Sequence, residues 1–183
     1  MASFFSRTGD DGYTGRLGEG RIPKYDLLME TLGTLDEATA AIGISRAQCR
    51  APESRALLIL IQRQLYGLMA ETAATPENID RFHAIDQNSI DWIEQRIVEL
   101  EKTVRMPKEF IVSGDSLAGA TLDLARTIVR RAERRIAELV HRGDISNPEL
   151  LRYLNRLSSL LFVLELRENQ AAGIEKPTLA KEV

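Results

Sequence analysis

Cysteine is nearly missing from this chain: Cys49 is the only one in 183 residues. An internal disulfide framework is therefore excluded, which fits a reducing compartment. Aromatic residues make up only 5% of the chain, which favours helices packed through aliphatic side chains over a β-sandwich. No apolar run approaches the ~20 residues of a membrane span. The N-terminal Met1-Ala-Ser-Phe-Phe-Ser-Arg7 has no apolar core of a secretory signal, so a cytoplasmic location is expected. Charge of one sign is also missing. Against 24 Lys and Arg stand 27 Asp and Glu, a formal net charge of -3, so no general nucleic-acid surface is expected and any anion site must be local. The glycine-rich start lacks the Lys-Ser/Thr ending of a P-loop, and no strand is predicted before it.

What is present reads as one globular unit, with 44% hydrophobic and 28% charged residues. Residues 1–25 are aperiodic and carry Gly9, Gly12, Gly15, Gly18 and Gly20, with Arg7, Asp10, Arg16, Arg21 and Lys24 threaded among them. They read as a functional loop, and no strand is expected. Residues 26–170 read as an all-α, antiparallel five-helix bundle with ferritin-like up-down packing. The helices are expected from about residue 26, from after Pro52 to about Ala74, from about Asp86 to Val104, from about Ser116 to His141, and from a Ser146 or Asn147 cap onward, with Pro148 in its first turn. The expected inward stripes are Leu28, Leu32, Leu35, Thr39 and Ile42; Leu57, Leu60, Ile61, Leu65 and Leu68; Ile90, Ile93, Ile97 and Leu100; Leu117, Leu124, Ile128, Ala132, Ile136 and Leu139; and Leu150, Leu154, Leu157, Leu161 and Leu164. Residues 171–183 form a polar tail expected to fray.

The fourth helix carries the sharpest chemical signal. Arg126, Arg130 and Arg134 stand at i, i+4 and i+8, in one row along the helix. Like charges at that spacing repel by about 0.2–0.5 kcal/mol per pair. An anion lying along the row would relieve the repulsion, and guanidinium forks match phosphates and carboxylates. Glu133 falls beside the row, and Asn155 sits within the last helix, where its amide could read a nucleotide edge or fill a polar gap. In the glycine-rich arm, freed backbone N–H groups can cradle phosphate oxygens. There Ser6, Thr8 and Thr14 offer hydroxyls, Asp10 a cation ligand and Lys24 a point charge. Glu138-Leu-Val-His141 has the Glu-x-x-His spacing of di-iron bundles but lacks a second copy, and reads as a solvated helix end. Cys49 has no His and Asp setting and reads as incidental.

Taken together these blocks resemble the PduO-type ATP:cob(I)alamin adenosyltransferases. The match runs through Ser6-Arg-Thr-Gly-Asp-Asp-Gly-Tyr-Thr14 to Ile22-Pro-Lys24, then Gly33-Thr-Leu-Asp36-Glu37, then Ala125-Arg126-Thr-Ile-Val-Arg130-Arg131-Ala-Glu133-Arg134, then Tyr153-Leu-Asn155-Arg156-Leu-Ser158. The resemblance implies transfer of the 5′-deoxyadenosyl group of ATP to the cobalt of cob(I)alamin, with triphosphate as leaving group. It implies a homotrimer with ATP between subunits. Ser6, Arg7, Thr8, Gly9, Asp10, Thr14, Gly15 and Lys24 would wrap the triphosphate. Arg130, Arg131, Glu133, Arg134 and Asn155 would meet it, with Arg130, Arg134 and Lys24 neutralising the leaving group. Asp36 and Arg126 would pair across the subunit interface, and Phe110 would displace the lower ligand of the corrinoid. Mg²⁺ would come mainly through ATP, with no metal site built from protein side chains alone. A cobalamin reductase or a cobalamin-dependent enzyme would be the protein partner, with no nucleic acid and no membrane. The chain departs from the family pattern at Ser113, Asp115, Asp123, Ser159, Thr39 and Glu19-Gly20-Arg21. Two other readings of the residues are a non-catalytic homologue that carries or senses ATP or adenosylcobalamin, and a bundle that only oligomerises.

Overall fold

The computed structural model describes residues 7–181. Five long helices form in the expected order: α1 (Leu27–Gln48), α2 (Pro52–Ala73), α4 (Gln87–Glu101), α5 (Leu117–His141) and α6 (Glu149–Ala171), with a single turn, α3 (Ile79–Phe82), between α2 and α4. Helix starts follow side-chain capping. Asp26 accepts from the Leu28 N–H at 2.8 Å, Asp86 and Ser89 form a reciprocal capping box, and Ser116 accepts from the Gly119 N–H. Asn147 Oδ1 accepts from the Glu149 N–H at 3.0 Å at the start of α6.

Helix α5 lies between α1 and α6, with α2 beside α1 and α4 beside α6. The core joins Leu35 and Ile42 of α1, Leu58, Ile61 and Leu65 of α2, Ile90 and Ile93 of α4, Leu122, Val129 and Ile136 of α5, and Leu154, Leu157 and Leu161 of α6. The first half of the α5 stripe departs from the sequence expectation: Leu117 is 71% exposed and Leu124 53% exposed, whereas Ala132, Ile136 and Leu139 are buried as expected. Ala118, Leu122 and Ala125 take the inward positions there instead. Small side chains every seven residues let α5 approach its neighbours closely, and a pattern weighted by leucine misses them. Leu60 likewise faces outward on α2, while Leu58 and Ile61 point in.

Two buried carboxylates pin the ends of the bundle. Glu71 accepts from the Ala84 and Ile85 N–H groups and from Asn147 Nδ2, at 2.8, 3.2 and 2.6 Å. Glu168 accepts from the Arg50 and Ala51 N–H groups in the α1–α2 turn. Buried carboxylates demand such donors, and these tie α2 to the α6 start and α6 to the α1 end.

The N-terminal arm contains a hairpin where the aperiodic sequence predicts loop. Strand β1 (Tyr13–Gly15) pairs antiparallel with β2 (Arg21–Pro23). Leu17, in the connection, exchanges hydrogen bonds with Ala73 and Thr75, which seats the hairpin on the C-terminal end of α2. Gly18 is required there: its φ is +151°, and a Cβ would overlap the Thr75 hydroxyl. The tail also departs from expectation, because it does not fray over its described length. The Val112 N–H donates to Thr178 O and the Ala180 N–H to Phe110 O, both at 2.8 Å, while Thr178 donates to Asp115 from its hydroxyl and its N–H. The tail is thereby strapped across the long α4–α5 connection. No helix among the described residues is long and apolar enough to cross a membrane.

Candidate functional site

Helices α5 and α6 leave a cleft of about 440 Å³ between them, lined by Arg130, Glu133, Arg134 and Ala137 on one side and Leu151, Arg152, Asn155 and Arg156 on the other. The polar groups on its walls are already connected. Asn155 Nδ2 donates to Glu133 Oε1 at 2.8 Å, and Asn155 Oδ1 accepts from Arg156 Nη1 at 2.8 Å. Arg156 is also held by Glu94, and Arg152 by Glu149. Two cations have no such counter-charge. The Arg130 guanidinium makes no hydrogen bond or ion pair among the described residues, and Arg134 Nη1 donates only to the Arg130 carbonyl, at 2.9 Å. Both are exposed. In a chain whose net charge is -3, this cleft is a local positive site open to an anion.

The arm's candidate residues lie elsewhere in the same chain. Thr14 and Gly15 are in β1, paired with Ile22 and Arg21. Lys24 Nζ donates to the Gly9 carbonyl at 2.7 Å, and Arg21 binds the Thr8 carbonyl and the Asp11 carboxylate. The Arg21 guanidinium holds the Asp11 carboxyl down to about 2. Asp11 is thus committed, whereas the Asp10 carboxylate is exposed and makes no hydrogen bond or ion pair among the described residues. That suits a Mg²⁺ held chiefly through a triphosphate with at most one protein oxygen. Arg7 has φ +61°, in the left-handed region that non-glycine residues take at clamps and sites more than elsewhere. Ser6 lies outside the described residues. None of the described arm residues lines the α5–α6 cleft.

Arg131 faces away from the cleft and pairs with Glu37 of α1. Asp36, next to it, is exposed and makes no ion pair among the described residues. Arg126 pairs within the chain, its Nε donating to Asp123 Oδ1 at 2.7 Å. This pair belongs to a second cavity, of about 480 Å³, lined by Phe110, Ile111, Asp123, Arg126, Phe162 and Glu165 among others. Phe110 is 90% exposed at its mouth. Glu165 is 1% exposed. Burial pushes its carboxyl up to about 7; the Asp123 and Asp115 carboxylates add to the rise and the Arg126 guanidinium opposes it.

The structure therefore brings Arg130, Glu133, Arg134 and Asn155 into one cleft and Arg126 and Phe110 into another. It leaves the arm and Asp36 apart from both within the chain. Glu165 and the tail segment at Thr178–Ala180 were not identified from the sequence. Glu165 interrupts a leucine-rich face, and that polar intrusion was the available signal. Cys49 is buried and its thiol is pushed up to about 12, chiefly by desolvation, which fits an inert cysteine.

The profile of the cobalamin adenosyltransferase family matches residues 4–168. A corrinoid adenosyltransferase of Citrobacter freundii is 37% identical over 163 residues, covering 88% of this chain and 92% of the relative. One from Bacillus subtilis is 35% identical, covering 93% and 88%. Among solved structures, a phenylalanine-to-alanine variant of the PduO-type ATP:corrinoid adenosyltransferase of Lactobacillus reuteri, complexed with cobalamin and ATP, superposes with a TM-score of 0.87 at 26% identity, over 98% of this chain and 100% of that one. An arginine-to-lysine variant of the same protein, complexed with ATP, superposes with a TM-score of 0.83 at 26% identity, over 97% and 100%.

Proposed function

The chain belongs to the cobalamin adenosyltransferase family, and we propose that it is the enzyme that moves the 5′-deoxyadenosyl group of ATP to the cobalt of cob(I)alamin. The observation that carries this reading is the α5–α6 cleft, where Arg130 and Arg134 face solvent without carboxylate partners among the described residues. Cob(I)alamin is itself the nucleophile. A cobalt–carbon bond forms at C5′ as the C5′–O bond breaks, and the bonding pair leaves with triphosphate. No catalytic base is needed. The protein's work is to align the two substrates and to receive charge on the departing triphosphate.

The triphosphate would lie along Arg130 and Arg134. Asn155, locked between Glu133 and Arg156, retains one amide N–H to direct at the nucleoside. Lys24, with Ser6, Arg7, Thr8, Gly9, Asp10, Thr14 and Gly15, would close over the phosphates from the arm of a neighbouring subunit. Supporting this, the described arm residues are fixed to the end of α2 and do not line the cleft of their own chain. Mg²⁺, bound through the triphosphate, would add charge neutralisation. Arg131, paired with Glu37, would border this site from the α1 side.

The assembly is a cytoplasmic homotrimer. The exposed Leu117 and Leu124, seven residues apart on one face of α5, offer the apolar surface that subunit contact would cover. Asp36 of one subunit would reach the Arg126–Asp123 pair of the next. Phe110 would sit under the corrin, excluding water and a lower ligand so that cobalt is easily reduced. A cobalamin reductase would supply the electron, and a cobalamin-dependent enzyme would take the product. The test is absorbance-monitored conversion of chemically reduced cobalamin in the presence of ATP, together with light scattering for the trimer. Full conversion by a trimer supports the reading, and an inactive or monomeric protein overturns it.

A further inference from the structure

The cavity beside Phe110 contains one group for which the transfer chemistry has no use. Glu165 enters it from α6, 1% exposed, and its Oε1 is shielded from solvent with no hydrogen-bond partner among the described residues. Burying a carboxyl without a donor is unfavourable, and native proteins leave few such groups unexplained. The surroundings do not supply the donor. Arg126, the cation nearest in chemistry, gives its Nε to Asp123. Asp123 lines the same cavity as a further acceptor, and Asp115, whose carboxylate is held by Thr178, adds negative charge nearby. Lys108 and Glu109 line the same cavity from the α4–α5 connection. The space, about 480 Å³, is large enough for a ligand side group to enter.

If Phe110 lies under a corrin, as in the reading above on which this rests, the rim of the macrocycle comes to this cavity. That rim carries short side chains ending in primary amides in fully amidated corrinoids, and in carboxylates in less amidated ones. A primary amide brings two N–H donors, and the Glu165 Oε1 has none among the described residues. A carboxylate brings acceptors only, and a negative charge against Glu165, Asp123 and Asp115. We propose that Glu165 is a specificity residue that accepts a carboxamide of the corrin rim and rejects a carboxylate in its place. The rejection is electrostatic and centres on the unpaired Glu165 carboxyl, so it depends on ionised Glu165 and weakens where that carboxyl is protonated.

The experiment compares cobalamin with its monocarboxylates, each made by hydrolysing one peripheral amide. KM is measured at pH 8 and pH 6, and binding of the cob(II) forms by equilibrium dialysis. At pH 8 at least one monocarboxylate is expected to show a KM and Kd about tenfold or more above those of cobalamin, and this ratio should shrink to within about threefold at pH 6 or in Glu165→Gln. Asp123→Asn, at a half-buried position, should lower the ratio in the same direction, and thermal melting confirms that each variant is folded. A wild type that treats all the corrinoids alike, or a Glu165→Gln variant that keeps the full ratio, overturns the proposal. Selective binding without turnover would leave the carboxamide preference standing and sink the transfer reading. Turnover without selectivity would do the reverse, and no binding of cobalamin would remove both.

Discussion

Replacing Arg130 with alanine deletes a guanidinium that makes no bond within the described chain, so the substitution separates binding from folding. The side chain is exposed and unpaired, and the neighbouring Arg134 binds the Arg130 backbone carbonyl, which alanine retains. Stability should change by no more than about 0.5 kcal/mol, the usual scale for a surface position. Alanine at this helical site also relieves repulsion from Arg126 and Arg134. A phosphate held by Arg130 would lose a charge-assisted hydrogen bond worth about 1.5–3 kcal/mol. That corresponds to a roughly 10- to 150-fold rise in the Kd for ATP. Arg131→Ala is the control: its partner is Glu37 on an exposed face, and losing that pair should cost stability about 0–1 kcal/mol with a smaller effect on ATP. Calorimetric titration with ATP at low and at physiological salt is the assay, since a phosphate contact weakens as salt rises. An Arg130→Ala variant that binds ATP within about twofold of wild type, with the same salt dependence, would refute the placement of triphosphate in this cleft.

The remaining expectations concern the arm, the corrinoid side and the buried acid. Gly18→Ala, which would drive a Cβ into Thr75 at φ +151°, should unseat the hairpin from α2 and lower ATP affinity by more than about threefold, read by calorimetry. Phe110→Ala should leave ATP affinity within about threefold and cut adenosylation at least about tenfold; deletion of residues 174–183, which removes the strap on the Phe110 loop, should act in the same direction. Because the Glu165 carboxyl is held at about 7 against ~4.3 in the unfolded chain, the native state keeps a proton that the unfolded state releases, and stability falls as pH rises between those values. Glu165→Gln should therefore match wild type near pH 4.5 and exceed it at pH 8 by about 2 kcal/mol, or roughly 4–8 °C in Tm; an equal gap at both pH values would contradict the burial argument.

The helices were legible because their apolar repeats are long and their breaks are marked by Pro52, Pro76, Pro107 and Pro148. The arginine row was legible because side chains four residues apart must share a helical face. Faces were read less well where packing is made by small residues. On α5, Ala118 and Ala125 fill positions that a leucine count assigns to Leu117 and Leu124. The hairpin escaped notice because its strands are three residues each and separated by glycines, so no alternation accumulates. The tail looked frayed because its bonds go to a loop more than 60 residues away, where Thr178 donates to the Asp115 carboxylate. Glu165 escaped because a glutamate in a helix reads as solvent-facing until tertiary packing buries it.

A single-turnover reaction tests the central claim most directly: excess enzyme with Mg²⁺ and ATP is mixed with chemically reduced cobalamin, absorbance follows the corrinoid, and phosphorus NMR follows the leaving group. The account predicts one adenosylcobalamin and one intact triphosphate for each corrinoid consumed, with both products lost together in Arg130→Ala. Unchanged cob(I)alamin beside bound ATP, or release of phosphate or diphosphate in place of triphosphate, would contradict it.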